Sequence, residues 1–198
     1  MIVAIDGPAA AGKGTLARRL AQHLGVPHLD TGLLYRATGR LVLDQGGEPA
    51  DPVAAERAAR SLAPDDLART DLRGPTADAA AAAVAALPAV RAALVEMQRL
   101  FGRRAGGAVL DGRDIGTVIF PEAERKFWVT ASAEARGRRR WLELRARGME
   151  ADLALVTTEI RERDGRDAIR LVPAADAVRI DTTLLDAEET FARAVSLL

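Results

Sequence analysis

Gly7, Gly12 and Lys13 keep the spacing G-x-x-x-x-G-K inside IVAIDGPAAAGKGT, residues 2 to 15, with Gly14 directly after the lysine and Thr15 behind it. That spacing suits a polyphosphate cradle: a strand delivers the chain to a turn whose backbone N–H groups, followed by a helix N-terminus, point at an anion. Glycine is required where a side chain would hold the phosphate away and where the backbone must take φ > 0. Lys13 adds a point charge, and Thr15 falls in the first helical turn, within reach of a metal-bound phosphate. The residues expected to line the cradle are Gly7, Pro8, Ala9, Ala10, Ala11, Gly12, Lys13, Gly14 and Thr15. Of 28 basic residues only Lys13 and Lys126 are lysine, so a chain that otherwise writes arginine keeps lysine at the one place the pattern needs it.

Three further polar clusters stand at the ends of strand patterns or on helices. Asp30-Thr31-Gly32 closes a short apolar run and opens a helix with Tyr35 and Arg36 one turn inside; taken alone, Asp30 or Thr31 reads equally as an N-cap. The apolar run 108 to 110 ends in Asp111-Gly112-Arg113-Asp114. Two carboxylates and an arginine at the carboxyl end of a buried strand are costly to desolvate without mutual pairing or a charged ligand, and the ligand is the favoured reading. The third cluster, residues 161 to 170, reads RERDGRDAIR. Arg136, Arg138, Arg139 and Arg140 crowd one helix, either as a solvated basic face or as a positively charged flap over phosphates. Arg91 alone reads as a solvated helix arginine. His23 and His28 have no carboxylate or second ligand at metal spacing and read as surface residues.

These clusters need a scaffold that gathers strand ends. Residues 2 to 6, 26 to 29, 108 to 112, 126 to 130 and 177 to 180 read as five short apolar strands. Between them Leu16, Leu20 and Leu24 mark one helix stripe that Gly25 can end, and Phe191, Val195 and Leu198 mark another behind an Asp186/Glu189 capping box. Ser132 can cap a helix that Gly148 closes, and Leu153, Val156 and Ile160 give the next helix, over 150 to 163, its apolar side. Residues 45 to 75 look loop-rich and mobile, and 78 to 93 form an alanine-dense helix interrupted at Pro88. The expected fold is α/β: a five-stranded parallel sheet with helices on both faces, whose ligands lie at the carboxyl edge.

Composition narrows the chemistry. At 198 residues the chain suits one domain. Lys plus Arg and Asp plus Glu stand at 28 each, so no global field argues for nucleic acid or a membrane surface as partner. Without cysteine there is no disulfide, thiolate metal site or cysteine nucleophile. No apolar run approaches a membrane span, and the expectation is a soluble cytoplasmic protein.

Taken together, GPAAAGKGT, DTGLLYR, DGRDIGTVIFP, the arginine-rich helix and ERDGRDAIR resemble the bacterial cytidylate kinases, within the nucleoside monophosphate kinase group of P-loop kinases. The likeness spans nearly the whole chain. It implies a single kinase domain over residues 1–198, a monophosphate-binding region over 31–105 that contains the loop-rich insert, and a helical lid over 133–175. It implies that residues 7 to 15 hold ATP, and that Thr31, Tyr35, Arg36, Arg91, Arg113, Asp114, Arg163, Asp167 and Arg170 bind CMP. Arg36, Arg113 and Arg170 then serve the acceptor phosphate, Arg91 and Asp114 the base, and Arg163 and Asp167 the ribose. Lys13, Arg113, Arg139 and Arg163 would then carry catalysis, and the expected place for Mg²⁺ is at Thr15 or Asp111, through water. The implied activity is γ-phosphoryl transfer from ATP to CMP and dCMP by a monomer, in pyrimidine nucleotide metabolism.

Against the pattern of the larger relatives, residues 60 to 77 are too short for a three-stranded β insert. Ala82 stands where a cytosine-reading serine is common, and Leu171-Val172-Pro173 follows Arg170 directly. Two other classes remain open. A P-loop kinase of another small acceptor (UMP, dephospho-coenzyme A or shikimate) would keep residues 1 to 25 but has no reason for both arginine clusters. A nucleotide-binding switch would bind without turnover, and the chain has no N-K-x-D guanine-reading motif.

Overall fold

The computed structural model describes residues 1–198, which divide into two compact units: residues 1–29 with 102–198, and residues 30–101. The larger unit is built on the sheet. Its strands are β1 (Ile2–Asp6), β2 (His28–Asp30), β3 (Ala108–Gly112), β4 (Arg125–Thr130) and β5 (Val178–Asp181), in the order β2-β3-β1-β4-β5. The β1–β3, β1–β4 and β4–β5 pairs are all parallel. β1 is central, with Asp6 opposite Gly112 on one side and Trp128 on the other, so the strand ends that carry the clusters of interest leave the sheet at a common edge.

Strand alternation decides what covers each face. Val3 and Ile5 share a buried cluster with Val109, Phe127, Val129 and Ile180, covered by Leu16 and Leu20 of α1 (Lys13–Leu24) and by Phe191 and Val195 of α9 (Ala187–Val195). The alternate face carries Leu110 against Phe120, and here the chain passes so close that a Cβ on Gly102 would lie 2.4 Å from the Phe120 ring. Leu20 is fully buried, and its truncation to alanine would cost about 2–5 kcal/mol. α1 ends where the sequence indicates, on Gly25 at φ 67°, whose N–H reaches the carbonyls of Ala21 and Gln22. α9 opens on the expected box, Asp186 accepting from Glu189 N while Glu189 accepts from Asp186 N.

After β3 the chain makes a π-helix, Ile115–Ile119, which sequence periodicity does not signal. α7 (Ala133–Ala146) is capped by Ser132 as expected. α8 (Leu153–Asp167) runs four residues beyond the expected end and absorbs most of the RERDGRD cluster. It buries Val156 and Ile160 but leaves Leu153 exposed, which corrects the expected apolar side. Gly137 lets α7 approach α8: a Cβ there would sit 2.2 Å from Thr157 Oγ1. The second lysine of the chain, Lys126, is buried on β4 and donates to both carboxylate oxygens of Asp176, at 2.9 and 2.8 Å.

The smaller unit contains α2 (Thr31–Asp44), α3 (Pro52–Arg60), α4 (Pro64–Leu67), α5 (Pro75–Ala85) and α6 (Pro88–Gly102). Residues 45 to 75 are therefore not a loop-rich insert but carry two helices. Asp51 caps α3 by accepting from Val53 N and Ala54 N, and Pro52 takes the first helical position, where its missing N–H costs nothing. α3 buries Ala55, Ala58 and Ala59. Alanine buries so little apolar area that the helical period is faint in a hydrophobicity pattern. Arg69 pairs with Asp44 and Asp71, each at 2.7 Å, and holds the exposed Asp71 carboxyl below its ordinary range. Gly39 of α2 meets α5 so closely that a Cβ would stand 2.7 Å from Ala80 Cβ. Pro88 does not interrupt one helix but starts another. No strand forms after Asp30 in this unit, in keeping with the short insert.

No single helix is long and apolar enough to cross a membrane; the alanine-rich α5 and α6 are separated by a break and a bend of 100°.

Candidate active site

The loop expected to hold ATP, residues 7 to 15 and called the donor loop for that expectation, connects the end of β1 to α1. Gly7 adopts φ 148°, and a Cβ there would collide with the Val129 carbonyl at 1.9 Å, so glycine is forced twice over. Gly12, at φ 92°, caps α1 without a side chain, and Ala10 also takes a positive φ of 58°. These turns leave the helix N-terminus uncapped by any side chain, with the orphan amides that attract anions. Lys13 folds back over the loop, its ammonium donating to Pro8 O at 2.7 Å, and is buried. Thr15 is exposed in the first turn. Gly14 is not forced by space, since a Cβ would meet only Arg18 Nη1 and Asp111 Oδ2, both at 3.8 Å. The same proximity shows that the Asp111 carboxylate faces the start of α1.

Asp111 is fixed by a residue whose expected surface role the structure corrects. His28 Nε2 lies 2.7 Å from Asp111 Oδ1, both side chains being mostly buried, which leaves Oδ2 toward Gly14. The two residues are 83 positions apart, so no local spacing announced the pair. His23 is at the surface as expected, edge-on to Phe191. No cluster of three or more His, Cys, Asp or Glu residues is placed to hold a metal ion. The hydroxyl of Thr15 and the carboxylate of Asp111 are hard oxygen donors, which suits Mg²⁺ carried mainly by phosphates and water.

Arg113 stands immediately after β3. Its Nε donates to Asp167 Oδ2 at 3.0 Å and its Nη1 to Gly112 O at 3.3 Å, while Arg170 Nη2 donates to Asp167 Oδ1 at 3.0 Å. Asp167 thus gathers two of the arginines expected on the acceptor phosphate. The trio of one carboxylate and two guanidinium groups keeps a net positive charge, which favours an anion. Arg163, one turn before Asp167 on α8, is half-buried on the same face. Asp114 precedes the π-helix.

The remaining acceptor candidates belong to the smaller unit. Thr31 opens α2 and is buried; Tyr35 follows one turn later and is half-buried. Asp30, the other half of the open reading, caps α2 by accepting from Gly32 N at 3.0 Å. Arg36 donates twice to Asp78 Oδ1 from α5, at 3.2 and 2.8 Å. Arg91 lies half-buried in the first turn of α6.

The arginines of α7 are less solvated than a basic face would be. Arg136 is buried: it donates to Ala131 O at 3.0 Å, to Ala9 O in the donor loop at 3.2 Å, and to both carboxylate oxygens of Asp164, at 3.0 and 2.5 Å. Arg139 bonds Thr182 Oγ1 at 2.9 Å and the carbonyls of Thr182 and Leu185; burial lowers its pKa. Thr182 Oγ1 in turn donates to Ala11 O at 3.0 Å, so Arg139 is one hydrogen bond removed from the donor loop. Arg140 pairs with Glu143 at 3.0 Å, and of the four crowded at 136 to 140 only Arg138 is exposed.

Asp6 has no assigned role in the sequence pattern, although a carboxylate closing a buried strand is a visible oddity. It is 5 % exposed and accepts from Ile115 N at 2.8 Å and Gly116 N at 2.7 Å. Burial pushes its carboxyl up to about 6 in spite of those two bonds; Asp114 adds to the rise and Lys13 opposes it.

Set against known proteins, residues 3–198 match the family model described as cytidylate kinase. The chain is 60% identical to a cytidylate kinase of Methylocella silvestris and 58% identical to one of Granulibacter bethesdensis, covering the whole chain and 94% and 96% of those relatives. A crystal structure from Thermus thermophilus superposes with a TM-score of 0.51 at 20% identity over all of this chain and 97% of that one, which speaks to the fold alone. With the family model spanning almost every residue and the relatives aligned end to end, the chain belongs to the cytidylate kinase family.

Proposed function

We infer that the protein is an ATP-dependent kinase that transfers the γ-phosphoryl group of ATP to CMP, giving CDP and ADP, and that dCMP is accepted in the same way. Family membership supports the ATP and CMP assignment. The observation that carries the reading within the molecule is the register of β1 with β3. Asp6 lies opposite Gly112, so the next residues, Gly7 of the donor loop and Arg113 of the acceptor cluster, leave adjacent strands side by side. Neighbouring strands run ~5 Å apart, the scale on which a phosphoryl group moves between two bound anions.

The chemistry asks for positioning and charge. The amides of residues 7 to 15 cradle the donor phosphates, and Lys13 exchanges its Pro8 carbonyl for phosphate oxygens. Arg113 and Arg170, already gathered on Asp167, take the acceptor phosphate with Arg36, while Arg139 and Arg163 serve the moving group. Thr15 and, through water, Asp111 would hold Mg²⁺, which would supply neutralisation of phosphate charge. The acceptor oxygen is already ionised, so no general base is needed, consistent with a site without cysteine and with His28 occupied by Asp111.

Residues 133–175 act as a lid that excludes water, and 31–105 as the monophosphate-binding region. Thr31, Tyr35, Arg163 and Asp167 hold the sugar phosphate. Arg91 and Asp114 read the base, an arginine and a carboxylate matching the acceptor and donor edge of cytosine. In the same reading the protein is a cytoplasmic monomer whose partners are its small-molecule substrates; with 28 basic against 28 acidic residues it carries no net field for nucleic acid or an anionic membrane. A second reading, tolerance of UMP, is favoured by Ala82 on α5, which offers no hydroxyl to the base.

A coupled assay of ADP production tests both readings. CMP-dependent turnover, with kcat/KM for CMP and dCMP above that for UMP, is expected. ADP release independent of CMP would overturn the kinase assignment, and equal values for CMP and UMP would remove base selectivity.

A further inference from the structure

The donor loop and the Arg113–Asp114 turn leave neighbouring strands, yet strand pairing alone does not set the path of the turn beyond Gly112. β3 ends there, and the next five-residue element is a π-helix, a short and rare form with no strong intrinsic stability. Its first amides are orphaned unless something accepts from them. In this chain the acceptor is Asp6, one carboxylate oxygen on Ile115 N and the other on Gly116 N.

Asp6 is itself immobile. It is the last residue of the central strand, paired on both sides, and is followed by Gly7, whose backbone is pressed against the Val129 carbonyl. A side chain at 116 would also disturb the clamp, because a Cβ there would approach Lys126 Cδ to 3.2 Å and Asp6 Oδ2 to 3.4 Å. Burying a carboxylate this deeply is unfavourable for stability, and a neutral residue would fill the same place on a strand. A rigid acceptor with two charge-assisted bonds to consecutive amides instead gives a fixed distance between two backbone segments.

We propose that Asp6 is a positioning residue for the acceptor, clamping the turn that carries Arg113 and Asp114 in register with the donor loop that begins at Gly7. The inference rests on the reading of Arg113 and Asp114 as acceptor residues. Arg113 is then located twice: through its backbone by Asp6, and through its guanidinium by Asp167.

The test is steady-state kinetics and ATP affinity of Asp6→Asn, Arg113→Lys and the double variant, with melting curves to confirm folding. Asp6→Asn keeps the shape but turns one acceptor into a donor that faces an N–H. It is expected to raise KM for CMP by about tenfold while ATP affinity changes little, and to show little further loss when Arg113 is already lysine, because residues acting through one another are not additive. A normal KM for CMP, or losses that simply add in the double variant, would overturn the proposal. If Asp6→Asn does not fold, Gly116→Ala presses on the same clamp from the other side: a selective rise in KM for CMP supports the proposal and no change overturns it. Failure of the acceptor reading itself looks different, since Arg113→Lys would then be normal toward CMP.

Discussion

Asp6 carries a second consequence, for stability against pH. Its carboxyl titrates at about 6 in the folded chain against 3.8 as the ordinary value. A group whose folded pKa is raised stabilises the fold by taking up a proton: that contribution is complete below 3.8 and is lost as pH rises through 6, a difference on the order of 3 kcal/mol. Asp114, which raises it, and Lys13, which lowers it, are the charges that face it. Asp71, Glu124, Glu134, Asp176 and Asp181 run the opposite way: their carboxyls are held below the ordinary range by arginine, lysine, threonine or backbone donors, so their contributions disappear only as pH falls further. Urea unfolding at pH 7 and at pH 4.5 should therefore show the stability of wild type gaining on that of Asp6→Asn as the pH falls. Parallel profiles would contradict the burial-driven shift. Residue-scale features of this kind are only partly legible in the sequence. The glycines Gly7 and Gly12 and Lys13 are, because the loop's positive φ values and the close approach at Gly7 fix residue type within the G-x-x-x-x-G-K spacing. Asp6, His28 and Arg136 are not, because their partners lie 109, 83 and 28 positions away and meet only once the strands align or, for Arg136, once α7 packs on α8.

At the scale of elements, α7 shows what composition alone conceals. Four arginines within five residues read as one feature, but the helix turns each toward different surroundings. Arg136 is buried on Asp164 and the donor loop, Arg139 sits on Thr182 and Leu185, Arg140 pairs along the helix, and Arg138 faces solvent. Arg136→Met would leave Asp164 without its bidentate partner and Ala9 O without its donor. Because Asp164 is 29 % exposed, the loss should be about 2 kcal/mol and below that of a fully buried pair. Arg138→Ala should stay within about 0.5 kcal/mol of wild type. Urea denaturation of the two variants checks this, and equal effects would contradict the division of roles. The helices hidden between residues 45 and 75 have a different cause. The buried positions of α3 are alanines, whose area is too small to stand out, and the informative signal is the Asp51-Pro52 start.

For the whole molecule, alternation of strands and helices makes the five-stranded sheet legible, since strand runs separated by helix stripes admit few topologies. The π-helix after β3 is not, because it depends on tertiary contacts without a period in the sequence. On the proposed reading, a loop that holds ATP and an arginine that holds the acceptor leave adjacent strands, beginning at Gly7 and Arg113, and the reaction is direct transfer between two bound phosphates. That claim is tested most directly by supplying ATP labelled in the γ-phosphoryl group together with CMP and following the label. Direct transfer predicts label in the β-phosphate of CDP, stoichiometric with ADP, and a fall in that transfer of about 10²–10³-fold in a folded Lys13→Ala variant. Label appearing as inorganic phosphate, or in CDP at an undiminished rate without the Lys13 ammonium, would contradict it.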